Sequence, residues 1–156
     1  MLVFIIALLS FLLDQIVKFI VVATLKGQRP YELIENFIYF HYVENRGAAF
    51  GILQNRKILF IIFTIIVVTG IILFLLKNYK RINNFIKISL GLLLGGAFGN
   101  FIDRIRLDYV VDFVSIKFFN KYQFAVFNLA DVFIVLSTFM LVIYILFMSG
   151  NKSEKI

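Results

Sequence analysis

Two carboxylic acids in contrasting surroundings are the first place to look for chemistry. Asp112 sits in VVDF (110–113), among valines and a phenylalanine, with no cation beside it in sequence. A carboxyl in such a setting is pushed toward its protonated form. Asp131 ends FNLAD (127–131), three residues after Asn128, at the head of a long apolar run. Asn128 is a favoured helix N-cap, and an acid three residues later resembles a capping box. The positive end of that helix favours a negative charge at Asp131. One carboxyl inclined to keep its proton and one inclined to keep its charge are what acid–base hydrolysis requires. The charged one activates water and the neutral one polarises a carbonyl. The structural alternative for Asp131 is that it does no more than cap the helix.

Other polar residues stand in equally apolar settings. Asp14 and Lys18, four apart in the first apolar run, can pair on one helix face. They read either as a structural ion pair snorkelling toward the interface or as a pair that organises a site. Charges inside a membrane cost roughly 2.5–3.5 kcal/mol each on insertion scales and usually face a bundle interior. GLLLGGAFGNFIDR (91–104) spaces Gly91, Gly95 and Gly99 by four, which lets a neighbouring helix approach closely. The same stretch ends with Asn100, Asp103 and Arg104 on one helical face. Arg104 carries a fork of donors suited to carbonyl or carboxylate groups; the plainer reading is an Asp103–Arg104 interface anchor. ENRGAAFG (44–51) supplies Asn45, which can donate and accept at once. Its Gly47 and Gly51 suit tight turning or close backbone approach.

Positioning these residues falls to a chain built for a bilayer. Of its 156 residues 62% are hydrophobic, with 20 Phe, one Pro and no Trp, and the mean hydropathy is +0.96. That composition belongs to an integral membrane protein, so the net charge of +7 suggests anionic headgroups rather than nucleic acid. The absence of Cys and the single His, His41, exclude thiolate metal sites and a Cys nucleophile and argue against a zinc site or a Ser-His-Asp triad. No metal or cofactor is expected. The N-terminus lacks a basic n-region and a small-residue cleavage site, and reads as a retained span.

Four segments approach the ~20 apolar residues of a membrane span: roughly 2–25, 58–76, 86–103 and 128–148, within one domain of residues 1–156. The fold expected is all-α, four transmembrane helices, with a small β-sheet cradle from the first loop. FIYFHYVE (37–44) has strand character, and DYVVDFVSIKFF (108–119) in the second loop could also be extended. Connectivity puts loops 26–57 and 104–127 on one side and the hairpin 77–85 with both termini on the other. Asn45, Asn100, Arg104, Asp112, Asn128 and Asp131 therefore share one face, with Asp14 and Lys18 in the half of the first span that approaches it. Orientation is less constrained. The two loops hold nine Lys and Arg, so a raw count leans against a cytoplasmic hairpin while charge density weakly favours one.

Two rivals to a hydrolase carry weight. A small carrier or proton-coupled protein could use Asp14–Lys18 as a relay, but spans two and four hold no polar residue at mid-membrane beyond Thr64, Thr69, Ser137 and Thr138. A scaffold leaves the one-sided clustering without a cause. The ordered set of Asp14, Gln15 and Lys18, then NRGAAFG (45–51), GGAFGNFIDR (95–104), VVDF and FNLAD resembles the lipoprotein signal peptidases, bacterial signal peptidase II, over nearly the whole chain. The resemblance implies a membrane-embedded aspartic endopeptidase of the bacterial cytoplasmic membrane. It implies a diacylglyceryl-modified prolipoprotein as substrate, cut before the lipidated cysteine. Carried over by motif, Asp112 and Asp131 are its catalytic pair. Asn45, Asn100, Arg104 and Asn128 surround the site, and Asp14 with Lys18 matches the family's first-helix pair. It further implies cytoplasmic termini and an extracytoplasmic active site; membrane lipids are the expected surroundings, and a monomer is expected. The two acid–base roles stay unassigned, since a coupled pair shares its titration; burial and helix-end arguments favour Asp131 as the base.

Overall fold

The computed structural model describes residues 1–48, 52–118 and 122–148. Ala49 to Gly51 of the ENRGAAFG stretch and the C-terminal tail from 149 lie outside them. Four long helices follow the apolar runs. They are α1 (Leu2–Leu25), α2 (Lys57–Asn78), α3 (Asn84–Leu107) and α4 (Leu129–Ile143), the last prolonged by a π-helical turn, Tyr144–Met148. All four spans are long and apolar enough to cross a bilayer. Those at 57–78 and 84–107 exceed the expected 58–76 and 86–103 at both ends. The third runs four residues further than composition marks, so the helical end expected to carry Asn100, Asp103 and Arg104 continues to Leu107. A polar helix end can extend because its outward groups find partners within the protein.

The third helix is the hub. Its most apolar stretch has a mean hydropathy of 1.6, the lowest of the four, yet 56% of that stretch is buried, against 11–22% for the others. Lipid does not dissolve polar groups, so the helix shielded by its neighbours is the one that can carry them. The glycine stripe makes the shielding possible. A Cβ at Gly91 would fall 2.8 Å from Ile6, and one at Gly95 would fall 2.6 Å from the Ala7 carbonyl oxygen. Gly99 leaves room for the Asp14 carboxylate, and Gly96 for the Ala130 carbonyl on α4. At the end of the bundle opposite the sheet, Val3, Leu75, Ile86, Leu90 and Leu94 close an apolar cluster.

Between the helices lie β1 (Tyr31–Ile34), β2 (Ile38–Asn45), β3 (Val110–Phe118) and β4 (Tyr122–Gln123), ordered β1-β2-β3-β4 with antiparallel pairing. The sheet is therefore not the product of the first loop alone. Strand β3, from the second loop, pairs with β2 in a register that sets Val43 opposite Asp112 and Asn45 opposite Val110. Val111 and Phe113 turn away from solvent onto Val21 of α1, fixing the sheet to the bundle. That alternation leaves Asp112 on the opposite face of the strand.

Candidate active site

Three local devices aim the two aspartates. The first is the sheet register. Because Asn45 lies two residues beyond the partner of Asp112, its side chain reaches diagonally on the same face, and Nδ2 donates to Asp112 Oδ2 at 2.7 Å. The second is the capping box at α4. Asn128 Oδ1 accepts from the Asp131 N–H at 3.0 Å, and Asp131 Oδ2 accepts from the Asn128 N–H at 3.1 Å. The third is a backbone bridge. Phe127 pairs with Val114, so the residue before Asn128 is tied to the strand that carries Asp112.

Two asparagines join the carboxyls. Asn128 Nδ2 donates both to Asp112 Oδ1 at 2.7 Å and to Asn100 Oδ1 at 3.0 Å. Asn100 Nδ2 in turn donates to Asp131 Oδ1 at 2.8 Å. Both amides thus present donors to carboxyl oxygens. Asn128 is fully buried and Asp112 is 1% exposed. Burial first, and the nearby charge of Asp131 second, push the Asp112 carboxyl up to about 7, consistent with the protonated state expected of it.

Beneath this layer lies a buried ionic cluster. Lys18 Nζ is 2.9 Å from Asp14 Oδ2, 2.9 Å from Asp103 Oδ2 and 3.0 Å from Asn100 Oδ1. Gln15 Nε2 bridges the same two carboxylates at 3.1 Å each. The cluster also holds main chain. Asp14 Oδ1 accepts from the Ala130 N–H at 2.9 Å, satisfying a donor in the first turn of α4, while Asp103 Oδ2 accepts from the Val111 N–H at 3.2 Å. One residue on from each lies an active-site candidate, Asp131 and Asp112. The snorkelling alternative for Asp14–Lys18 is thereby overturned, since Asp14 is 0% and Lys18 3% exposed.

The Asp103–Arg104 anchor is not formed either. Asp103 faces α1, whereas Arg104 donates to the Asn100 and Gly47 carbonyl oxygens, each at 3.3 Å, and lies 4.6 Å over the Phe60 ring. Among the described residues Arg104 makes no ion pair. Asp14, Lys18, Asn45, Asn100, Arg104, Asp112, Asn128 and Asp131 thus enter one connected network. What the sequence reading underweighted is Asp103 and Gln15. Their signal was the polar interruption at 14, 15 and 18 in an otherwise apolar helix, which needed partners from a facing helix.

Asp112, Asp131, Asn45, Asn100 and Arg104 open onto a cavity of about 600 Å³. One wall continues along α4 through Val132, Val135, Leu136 and Phe139, of which Val135 and Phe139 are well exposed. The site is therefore open toward the exposed apolar face of α4. No cluster among the described residues could hold a metal ion.

Comparison with known proteins agrees with this architecture. The family profile described as signal peptidase (SPase) II matches residues 6–147. The lipoprotein signal peptidase of Clostridium novyi (strain NT) is 39% identical over 141 residues, covering 90% of this chain and 95% of that protein. That of Caldanaerobacter subterraneus subsp. tengcongensis is 44% identical over 140 residues, covering 90% and 92%. A bacterial membrane enzyme solved by the in meso method at 2.3 Å resolution superposes with a TM-score of 0.82 at 33% identity, covering 99% of this chain and 93% of that one. With a family match across most of its length and relatives this similar end to end, the chain belongs to the signal peptidase II family.

Proposed function

We propose that this protein of the bacterial inner membrane removes the signal peptide from diacylglyceryl-modified prolipoproteins, cutting before the lipidated cysteine with Asp112 and Asp131. The observation that carries the reading is the pairing of two amide-held carboxyls with a cavity that is polar at the carboxyls and apolar along α4. An acyl chain and an apolar signal helix both suit that wall. Residues 1–156 act as one monomeric domain. The sheet, the cavity and the ends of α3 and α4 that bear the site face outward, while the α2–α3 turn and both termini face the cytoplasm. Lipid contacts the exposed faces of α1, α2 and α4.

Asp131 is the base and Asp112 the acid. The Asp131 carboxylate takes a proton from water, whose oxygen bonds to the carbonyl carbon of the residue before the cysteine. Asp112 gives its proton to the carbonyl oxygen as charge develops there. On collapse the C–N bond breaks, Asp131 returns its proton to the leaving amine, and a hydroxyl of the intermediate reprotonates Asp112. The products are a carboxyl-terminated signal peptide and a cysteine with a free α-amine. The Asn45, Asn100 and Asn128 amides fix the carboxyls without neutralising them. Arg104 ties the 46–48 turn to α3 and sets a positive charge beside the cavity.

The test compares a lipidated precursor with its unlipidated counterpart, using purified protein in detergent. Cleavage of the lipidated precursor alone is expected. Equal turnover of the two contradicts the proposed substrate.

A further inference from the structure

A second, smaller cavity, about 190 Å³, meets the first at Asp112. Asn45, Ala48, Asp112, Ala125 and Val126 line both, so the carboxyl stands at the junction of two compartments. Their characters differ. The larger runs down α4 on apolar side chains. The smaller is completed by Val43, Glu44, Arg46 and Gln54 and takes no residue from any of the four transmembrane helices.

A substrate held across the two aspartates must leave the site in two directions. Its apolar half can follow α4 into lipid. The polypeptide beyond the scissile bond cannot, because unpaired main chain is costly in hydrocarbon. We infer that the smaller cavity seats the first residues after the scissile bond, in extended form. The inference rests on the peptidase reading and adds to it a subsite with its own preference.

Main chain and charge support this occupant. Phe124 donates its N–H to the Ile116 carbonyl at 2.8 Å and Phe127 donates to the Val114 carbonyl at 3.0 Å, but among the described residues Ala125 and Val126 between them make no main-chain hydrogen bond. They offer an open edge of the kind that extended peptides pair with. At the rim, Glu44 lies 3.5 Å from Lys26 and 3.4 Å from Arg46, whose side chains are 52% and 50% exposed. One carboxylate shared by two cations leaves a net positive rim. Acidic residues entering there are favoured and basic ones disfavoured.

The test uses two synthetic lipopeptides, identical through the lipidated cysteine, with either two Asp or two Lys at the second and third positions after it. Both are cleaved by wild type, Arg46→Glu and, as a control for general surface charge, Arg106→Glu. For wild type a KM about three- to fivefold lower for the Asp peptide is expected, the size appropriate to exposed charge pairs. Arg46→Glu reverses the preference, while Arg106→Glu keeps it with kcat little changed. Equal KM values in wild type, or a preference that survives Arg46→Glu, overturns the inference and leaves the peptidase reading standing. Cleavage of neither peptide by wild type overturns the peptidase reading, and the inference with it.

Discussion

Replacing Lys18 by Met removes the one cation of a buried cluster and keeps the length of its stem. In the native protein Nζ lies 2.9 Å from each of two carboxylates and 3.0 Å from the Asn100 amide oxygen, with Asp14, Lys18 and Asp103 all at most 3% exposed. Removing one partner of a buried pair typically costs 3–5 kcal/mol, because the other charge is stranded. Here two carboxylates lose the same cation, so a cost of about 5 kcal/mol, the upper end, is expected. Asp14 keeps Gln15 and the Ala130 N–H, while Asp103 keeps Gln15 and the Val111 N–H. Adding Asp103→Asn to Lys18→Met relieves one stranded charge and recovers about half of the loss, the non-additivity expected of neighbours. Unfolding titrations in mixed micelles on wild type, both single variants and the double variant measure this. A Lys18→Met variant within about 1 kcal/mol of wild type, the scale of a surface pair, refutes the reasoning. So does a double variant no more stable than the single one.

Two further outcomes follow from geometry and charge. Gly95→Ala puts a methyl 2.6 Å from both the Ala7 carbonyl oxygen and Ser10 Cβ, whereas Gly70 has nothing within 4 Å. Thermal unfolding in detergent is expected to find Gly95→Ala destabilised by about 1–3 kcal/mol and Gly70→Ala unchanged or slightly more stable. Asp112, pushed up to about 7 by burial and then by Asp131, ordinarily titrates near 3.8. The fold therefore binds this proton more tightly than the unfolded chain. Its contribution to stability declines as pH rises from the ordinary value to about 7 and levels off above it. If Asp112 acts as the acid, kcat declines over the same upper range, which a pH–rate profile measures.

The shared face of the site was legible because it follows from counting crossings, and the start of α4 because Asn128 and Asp131 carry their own capping chemistry within four residues. The close α1–α3 contact was written in Gly91, Gly95 and Gly99. The partners across that contact were not. Glycine spacing shows which face of α3 approaches a neighbour, but the axial register that brings Asp103 to Lys18 depends on side chains of both helices at once. Local adjacency therefore suggested Arg104 as its partner. The same limit hid the sheet's make-up. The alternation around Asp112 marked an extended segment, but pairing β3 with β2, some 67 residues apart for Asn45 and Asp112, is a tertiary choice that neither segment encodes alone.

In the proposed function the carboxyls of Asp112 and Asp131 perform the hydrolysis and the remaining network holds them. The most direct measurement compares kcat for a lipidated precursor among wild type, Asp112→Asn and Asp131→Asn, with each variant's fold verified by its melting temperature in detergent. Each substitution keeps the size of the side chain and removes its acid. Both variants are expected to fold and neither to cleave above background; a folded variant that retains substantial turnover shows that its carboxyl is not catalytic.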